Sequence, residues 1–326
     1  MSFFDLVTEG VSVPLTRLAG GYRPTGLIGE KIFPVVGSIM KSGKFPTFSK
    51  DAFKIYTTIR ARGAKSNRAQ ISPDTWLTFA CEEHDLAIPL DNRELEELRN
   101  IPTDARGKAL FDLQNRQRRR AQWNMALEKE QVVANMVQDS ANYTASNVVT
   151  LSGDDQWDSG VSASSTPHLD IETGREQIRK NIGVYPNTMV LGSEAYQCLK
   201  FHAAYTDKMK LTNDKVVQLD LLKSIHNLKN IYLGQSMMLS EADGTSFVDL
   251  WSDICLLYYA PDSTTPDLDE PSFGFTIVPK FSSKPFPYVD IFTEEGGKIV
   301  NVRNTDMYDH VFTMSHAGYL IKDVKK

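Results

Sequence analysis

Residues 103–139 read TDARGKALFDLQNRQRRRAQWNMALEKEQVVANMVQD, with no proline and a single glycine, Gly107, near the start. Good helix formers dominate the stretch. Pro102 stops what precedes it, Thr103 stands where a cap would sit, and Asp104 suits the positive end of a helix. The 36 residues after that cap span about 54 Å at 1.5 Å per residue, roughly three times the usual helix. Such a helix must be a coiled coil, a bundle arm or a strut across a plate. Its apolar positions are Leu110, Leu113, Ala121, Met125, Val132 and Met136, with a second row at Ala126, Val133 and Val137. Polar residues 114–120 interrupt the stripe, no heptad is sustained, and a strut is the expected form.

The remaining chain is long enough for a large domain or a few subdomains: 326 residues in all. A net charge of -5 implies no general affinity for polyanions. Cys81, Cys198 and Cys255 are far apart and form no CxxC pair, which points to a reducing compartment. Asp5 and Glu9 precede any basic residue, so the start does not read as a signal peptide. No apolar run approaches the ~18 residues of a membrane span. A cytoplasmic protein without a membrane partner is expected.

Residues 1–37 mix Gly20-Gly21, Pro14, Pro24 and Pro34 with scattered apolar residues and read as an extended arm. From residue 38 the pattern turns to period two. Phe53, Ile55, Thr57 and Ile59 alternate with polar neighbours, as do Leu77, Phe79 and Cys81, predicting two strands joined by a basic tip. A change of phase near Glu82–Asp85 predicts a bulge. Residues 91–100, DNRELEELRN, read as a short acidic helical turn before the long helix. Residues 140–167 are polar and read as a linker. Beyond them comes a compact α/β unit. Asp170 is expected to cap a helix that Gly183 ends, Thr188–Leu191 to form a strand, Ser193 to cap the next helix and Asn213 another. Strands follow at 231–233 and 254–259. Six prolines mark 260–287 as a crossing segment with a strand at 273–278. Strands at 288–293, 299–303 and 317–321 close the chain, the first two joined by a turn at 295–298.

Reactive chemistry is hard to find. On a strand, Glu82 and His84 point away from Cys81, Glu83 and Asp85, so the set cannot converge on one metal ion. Gly192-Ser193-Glu194-Ala195 lacks the second glycine of a nucleophile elbow, and a cap explains its serine. There is no phosphate-binding loop and no HExxH. No catalytic residue, cofactor or metal is expected. Charge clusters are the better candidates. Arg116, Arg118, Arg119 and Arg120 place four guanidinium groups within one and a half turns, and Arg60, Arg62, Lys65 and Arg68 crowd the tip. Both sets suit carboxylates of a neighbouring subunit or phosphates, with a solvated face as the plain alternative. Glu94, Glu96 and Glu97 are a matching acidic run.

The order of arm, long hairpin, acidic turn, very long helix, α/β unit and returning strands resembles the major capsid proteins of tailed bacteriophages. These have an α+β fold called Hong Kong ninety-seven-like, and the sequence is most similar to the lambda-type capsid families. The resemblance rests on Ile32-Phe33-Pro34-Val35 followed by Ser42-Gly43-Lys44-Phe45. It continues in Cys81-Glu82-Glu83-His84-Asp85-Leu86-Ala87-Ile88-Pro89-Leu90-Asp91, in Tyr185-Pro186-Asn187-Thr188-Met189-Val190-Leu191-Gly192, and in the late Trp251. It implies an N-terminal arm (1–37), an extended loop (38–84), a peripheral domain (85–165 and 286–326) with a spine helix at 103–139, and an axial domain (166–285). It implies self-assembly into pentamers and hexamers that tile an icosahedral shell around packaged double-stranded DNA, held by weak non-specific contact. Scaffolding, portal and decoration proteins are the further partners it implies. The arm begins close to Met1, so any scaffold is expected to be a separate protein. The rivals are an encapsulin shell, a tail or connector component, and an enzyme with its site in the axial unit.

Overall fold

The computed structural model describes residues 10–21, 25–48, 50–69, 76–159, 164–206, 217–240, 244–261, 270–280, 286–294 and 299–326. The expected cap at Asn213 and the turn at 295–298 lie outside the described residues.

The chain starts with β1 (Gly10–Val11), α1 (Val13–Gly20), α2 (Gly29–Ile32) and β2 (Val35–Ser38). The ribbon β3 (Ser42–Pro46) and β4 (Trp76–Ala80) follows, then β5 (Glu82–Asp91), α3 (Asn92–Glu97) and the long helix α4 (Thr103–Gln138). The next elements are β6 (Val148–Thr150), α5 (Pro167–Ile182), β7 (Thr188–Gly192), α6 (Ser193–Phe201), α7 (Ala203–Thr206), α8 (Leu219–His226) and β8 (Asn230–Gly234). The ribbon β9 (Met237–Leu239) and β10 (Phe247–Asp249) precedes β11 (Cys255–Tyr258), β12 (Gly274–Pro279), β13 (Tyr288–Thr293), β14 (Ile299–Phe312) and β15 (Gly318–Lys322).

Two sheets organise these elements. In the six-stranded sheet the order is β1-β13-β14-β12-β2, with β5 also paired to β14. β14 is its axis: β5 runs antiparallel along residues 299–308, while β13 and then β12 take the other edge. The 14 residues of β14 reach about 45 Å, a length that matches the helix laid over them. α4 lies against β14 and β5, so the long helix is a strut across a sheet. The five-stranded sheet has the order β6-β15-β11-β7-β8, and every residue of β7 and β11 is buried. Its core of Met189, Leu191, Leu199, Leu256, Leu257 and Leu320 is continuous with the lower part of α4 through Val133, Ala134 and Val137. A second core joins Leu15 and Ala19 of α1 to Leu90, Leu95, Leu110, Val289 and Val302. Full burial of a side chain such as Leu15 is worth about 1.5–3 kcal/mol.

Several expectations are corrected by this arrangement. The N-terminal segment is not simply extended: α1 and α2 form and pack on the chain's own core. The strand predicted at 53–59 does not form, because β4 takes β3 as its partner and leaves residues 54–69 outside any ladder. The phase change is not a bulge. The chain leaves one sheet at Cys81, whose N–H donates to Lys41, and enters the other at Glu82. Residues 140–167 are more than a linker, since β6 adds a parallel strand to β15. β14 runs nine residues beyond the predicted end at Arg303. The last strand sits beside β11 in the five-stranded sheet rather than with β13 and β14.

Helix boundaries hold better than their caps. α4 begins at Thr103 itself with Pro102 in the cap position, α6 begins at Ser193 after an extended Gly192, and α5 is preceded by Thr166. Asp170 instead accepts a hydrogen bond from the Trp157 indole at 2.9 Å. Gly183 ends α5 as expected, with φ 77°, and a Cβ there would meet the Phe53 ring at 2.8 Å.

Candidate assembly interface

The segment 53–69, between the strands of the β3–β4 ribbon, starts with Phe53 against Phe48 and Gly183, and its residues 54–69 join neither sheet. Its chain reverses where Ala64 N–H donates to Ala61 O at 3.1 Å, and Asn67 Nδ2 ties the arms by donating to Thr57 O at 2.6 Å. Every residue from 53 to 69 is exposed. That includes Ile55 at 100%, Ile59 at 86% and the basic Arg60, Arg62, Lys65 and Arg68. The excursion is anchored at its root. Ala80 N–H donates to Asp309 Oδ2 at 2.9 Å and the Cys81 thiol donates to Ile277 O at 3.5 Å. Burial raises the Asp309 carboxyl above its ordinary range and pushes the Cys81 thiol up to about 11.

The arginine cluster of α4 divides. At 100° per residue Arg118 faces the sheet, while Arg116, Arg119 and Arg120 look the other way. Arg118 is 3% exposed, donates to Asn115 Oδ1 at 2.9 Å and to Gln122, and its carbonyl accepts from Asn304. It is a core residue, and the expectation of a surface role for it is corrected. Gln114, Gln117 and Gln122 are buried beside it, which is why the apolar stripe breaks there, and Val132 points outward at 38% exposure. Trp123, 39% exposed, shares the outer face with the three remaining arginines. Arg116 also closes one wall of a surface pocket of about 380 Å³ whose rim carries Glu94 and Glu97. The acidic run and Arg116 therefore meet within one chain. Glu96 is exposed on the same short helix.

One residue unnoticed in the sequence ties the elements together. Glu130 of α4 is 2% exposed and accepts from Ile28 N, Gly29 N, Ser236 Oγ and the Trp251 indole at 2.6–3.2 Å. A Cβ on Gly29 would lie 2.8 Å from its Oε2, so the backbone of α2 approaches as closely as glycine permits. Three other segments of the chain converge on this carboxylate. Its signal in the sequence is one of two acids, with Glu128, between Ala126 and Val133, and only the partners distinguish it from a surface charge.

The arrangements that suggest chemistry resolve as structure. Ser165 Oγ lies 3.0 Å from His202 Nε2, but His202 Nδ1 accepts from Ala204 N–H at 3.1 Å. The ring proton is therefore on Nε2, which donates to the serine and is not free to deprotonate it. Burial holds His202 below its ordinary pKa, so the ring stays neutral. Cys198 is pushed up to about 11 by burial, the reverse of an activated thiol. Burial, with Lys129 and His84 nearby, lowers His310 to about 4. His84 stacks on Tyr308 with ring centroids 4.2 Å apart. Among the described residues no three His, Cys, Asp or Glu side chains are grouped to hold a metal. No described helix is long and apolar enough to cross a membrane.

No family model matches the chain. It is 35% identical over 315 residues to the major capsid protein of Burkholderia phage BcepMu, covering 95% of each protein. A phage-related protein from Bordetella bronchiseptica RB50 has the same architecture, with a TM-score of 0.75, 29% identity and 98% of each chain covered. An encapsulin complex from Synechococcus elongatus PCC 7942 is similar at a TM-score of 0.50 and 10% identity, covering 99% of this chain and 95% of that one, a likeness of fold alone. The helix laid across a long-stranded sheet, the exposed excursion and the full-length similarity to a curated relative identify the chain as a member of the phage major capsid protein family, with a structural role in the shell.

Proposed function

We propose that this protein forms pentamers and hexamers that close an icosahedral shell around packaged double-stranded DNA, and that it catalyses no reaction. The observation that carries the reading is the segment 53–69. It exposes Ile55 and Ile59 almost completely on a stalk anchored at Asp309, apolar surface that a partner in the shell would cover. Residues 1–37 act as the arm and 38–84 as the extended loop. The peripheral unit comprises 85–165 and 286–326 with α4 as its spine, and the axial unit comprises 166–285. β15 pairs with β11 of the axial unit and with β6 of the peripheral stretch, so its ladder joins the two units.

Arg60, Arg62, Lys65 and Arg68 dock on an acidic surface of an adjacent copy. Arg119, Arg120 and Trp123 line a second contact face, with packaged DNA or a neighbour. Exposed ion pairs are each worth only ~0–1 kcal/mol. Repetition around a closed shell lets such weak contacts set geometry while misplaced subunits still leave and rebind. The excess negative charge supports weak DNA contact, which leaves the genome free to slide during packaging. Scaffolding, portal and decoration proteins complete the assembly in the host cytoplasm.

Electron microscopy of the purified protein, with nuclease treatment of native particles, tests the reading. Closed polyhedral shells that protect double-stranded DNA are expected. A monodisperse monomer at all concentrations and salts contradicts it, and shells filled with protein cargo favour a compartment.

A further inference from the structure

Beneath the long helix the packing is incomplete. A cavity of about 280 Å³ lies between α4 and the sheet, roofed by Met125 and Lys129 and floored by Val278 of β12 and by Asn304, Asp306 and His310 of β14. A smaller one of about 170 Å³ adjoins it towards α2, and the two share Glu30, Ala126, Lys129 and His310. The space holds several waters or one small molecule. Strand alternation puts the three β14 residues on one face, and the Arg118–Asn304 and Lys129–Asp306 contacts show that α4 covers it.

The polar atoms around this space are unbalanced. Asn304 is 1% exposed, and its amide nitrogen donates to Arg118 O at 3.4 Å. Its Oδ1 has no hydrogen-bond partner among the described residues. The Thr276 hydroxyl gives its one proton to Phe33 O at 3.1 Å and so accepts from His310 Nδ1 at 2.9 Å. That places the ring proton on Nδ1 and leaves Nε2 a bare acceptor, also without a partner among the described residues. Burial, with Lys129 and His84 nearby, holds His310 down at about 4, so Nε2 stays unprotonated at neutral pH. Two carboxylates, Asp306 and the exposed Glu30, line the cavity with a single cation, Lys129. Lys129 is bonded to Asp306 and lies over the Tyr308 ring.

Unpaired buried acceptors are costly, and these two call for donors. An anion would meet acceptors and acids. A metal ion finds no group of three ligands among the described residues. Water can donate to both atoms but leaves the apolar wall of Met125, Val278 and Phe286 wet. Asn304 and His310 are six residues apart, about 20 Å along an extended strand, so one donor group does not reach both. An alkyl chain with an ammonium at each end meets every requirement: donors at two places, positive charge and an apolar middle.

We propose that this cavity binds a small linear diammonium ion, one end donating to Asn304 Oδ1, the other to His310 Nε2, with its methylenes on Met125, Val278 and Phe286. The site is independent of the shell-forming reading. Its occupant ties α4 to β12 and β14, and binding to the folded state alone stabilises the protomer.

Equilibrium dialysis of the full-length, unassembled protein against labelled α,ω-diamines, from 1,4-diaminobutane to 1,12-diaminododecane, tests this at an ionic strength that screens surface charge. One saturable site per chain is expected, tightest at an intermediate length. The diol and the monoamine of that length are expected to bind at least tenfold more weakly. Ala126→Leu fills the space where the two cavities meet and leaves the hydrogen bonds in place, while Asn304→Ala removes one acceptor. Each is expected to weaken binding at least tenfold, and the tightest diamine to raise the thermal midpoint of wild type but not of Ala126→Leu. Should Asn304→Ala fail to fold, the Ala126→Leu result decides. Binding that never saturates, or that is unchanged in folded Ala126→Leu, overturns the site in favour of surface ion exchange. Equal binding of diamine and diol overturns the ammonium in favour of a neutral ligand. No binding of any probe overturns the proposal and leaves water as the occupant. Shell closure is scored separately by electron microscopy, so neither result stands or falls with the other.

Discussion

Glu130 shows how much one side chain can hold when buried. It joins the backbone of α2, the middle of α4, Ser236 and Trp251, and its oxygens satisfy donors that have no water to turn to. Hydrogen bonds to a charged group contribute about 1.5–3 kcal/mol each, and orphaned buried donors cost about 1–3 kcal/mol. Glu130→Ala is therefore expected to destabilise the unassembled protomer by about 3 kcal/mol or more, seen as a lower urea midpoint. Trp251→Phe, which loses one donor and leaves one acceptor lone pair free, is expected to cost about 1 kcal/mol. Equal effects for the two would mean that the convergence at Glu130 has no special weight. Neither role was legible in the sequence. Glu130 looks like any helix acid, and Trp251 stood out only through resemblance.

At the scale of elements, α4 was legible in extent but not in facing. Propensity and the lack of breakers define a helix within a residue of its observed end. The direction of each side chain in its polar middle depends on what lies beneath. Arg118 meets Asn115, Gln122 and Asn304, whereas Arg119 and Arg120 meet solvent. Arg118→Ala is expected to destabilise the protomer by about 1–3 kcal/mol, and Arg119→Ala and Arg120→Ala by no more than about 0.5 kcal/mol each. Chemical denaturation of the three variants side by side measures this, and three indistinguishable midpoints would refute the division. The strand predicted at 53–59 failed for a related reason. Alternation of apolar and polar residues suits a half-buried strand but does not supply a partner, and β4 pairs with β3 instead.

At the scale of the whole molecule, the protomer is well packed around two sheets and incomplete at its excursion. The backbone of residues 54–69 belongs to no helix or ladder, and its basic residues are exposed. Trypsin is expected to cut the unassembled protomer first after Arg60, Arg62, Lys65 or Arg68. Closed shells, with the loop covered by a neighbour, are expected to resist by at least tenfold in rate, followed by mass spectrometry of the fragments. Cleavage at the same rate in both states would mean that assembly leaves this loop uncovered.

The sequence by itself determined the long helix, the place of most strands, the absence of a recognisable catalytic motif and the likeness to phage shell proteins. These follow from local propensity and from periods of two and 3.6, which need no knowledge of distant residues. Only the tertiary structure decided that β15 crosses into the five-stranded sheet, and that Arg118 is core and Glu130 a hub. Those outcomes depend on which residues meet across more than a hundred positions of chain, and pairing at that range is set by the burial and polar satisfaction of the assembled core rather than by any local pattern.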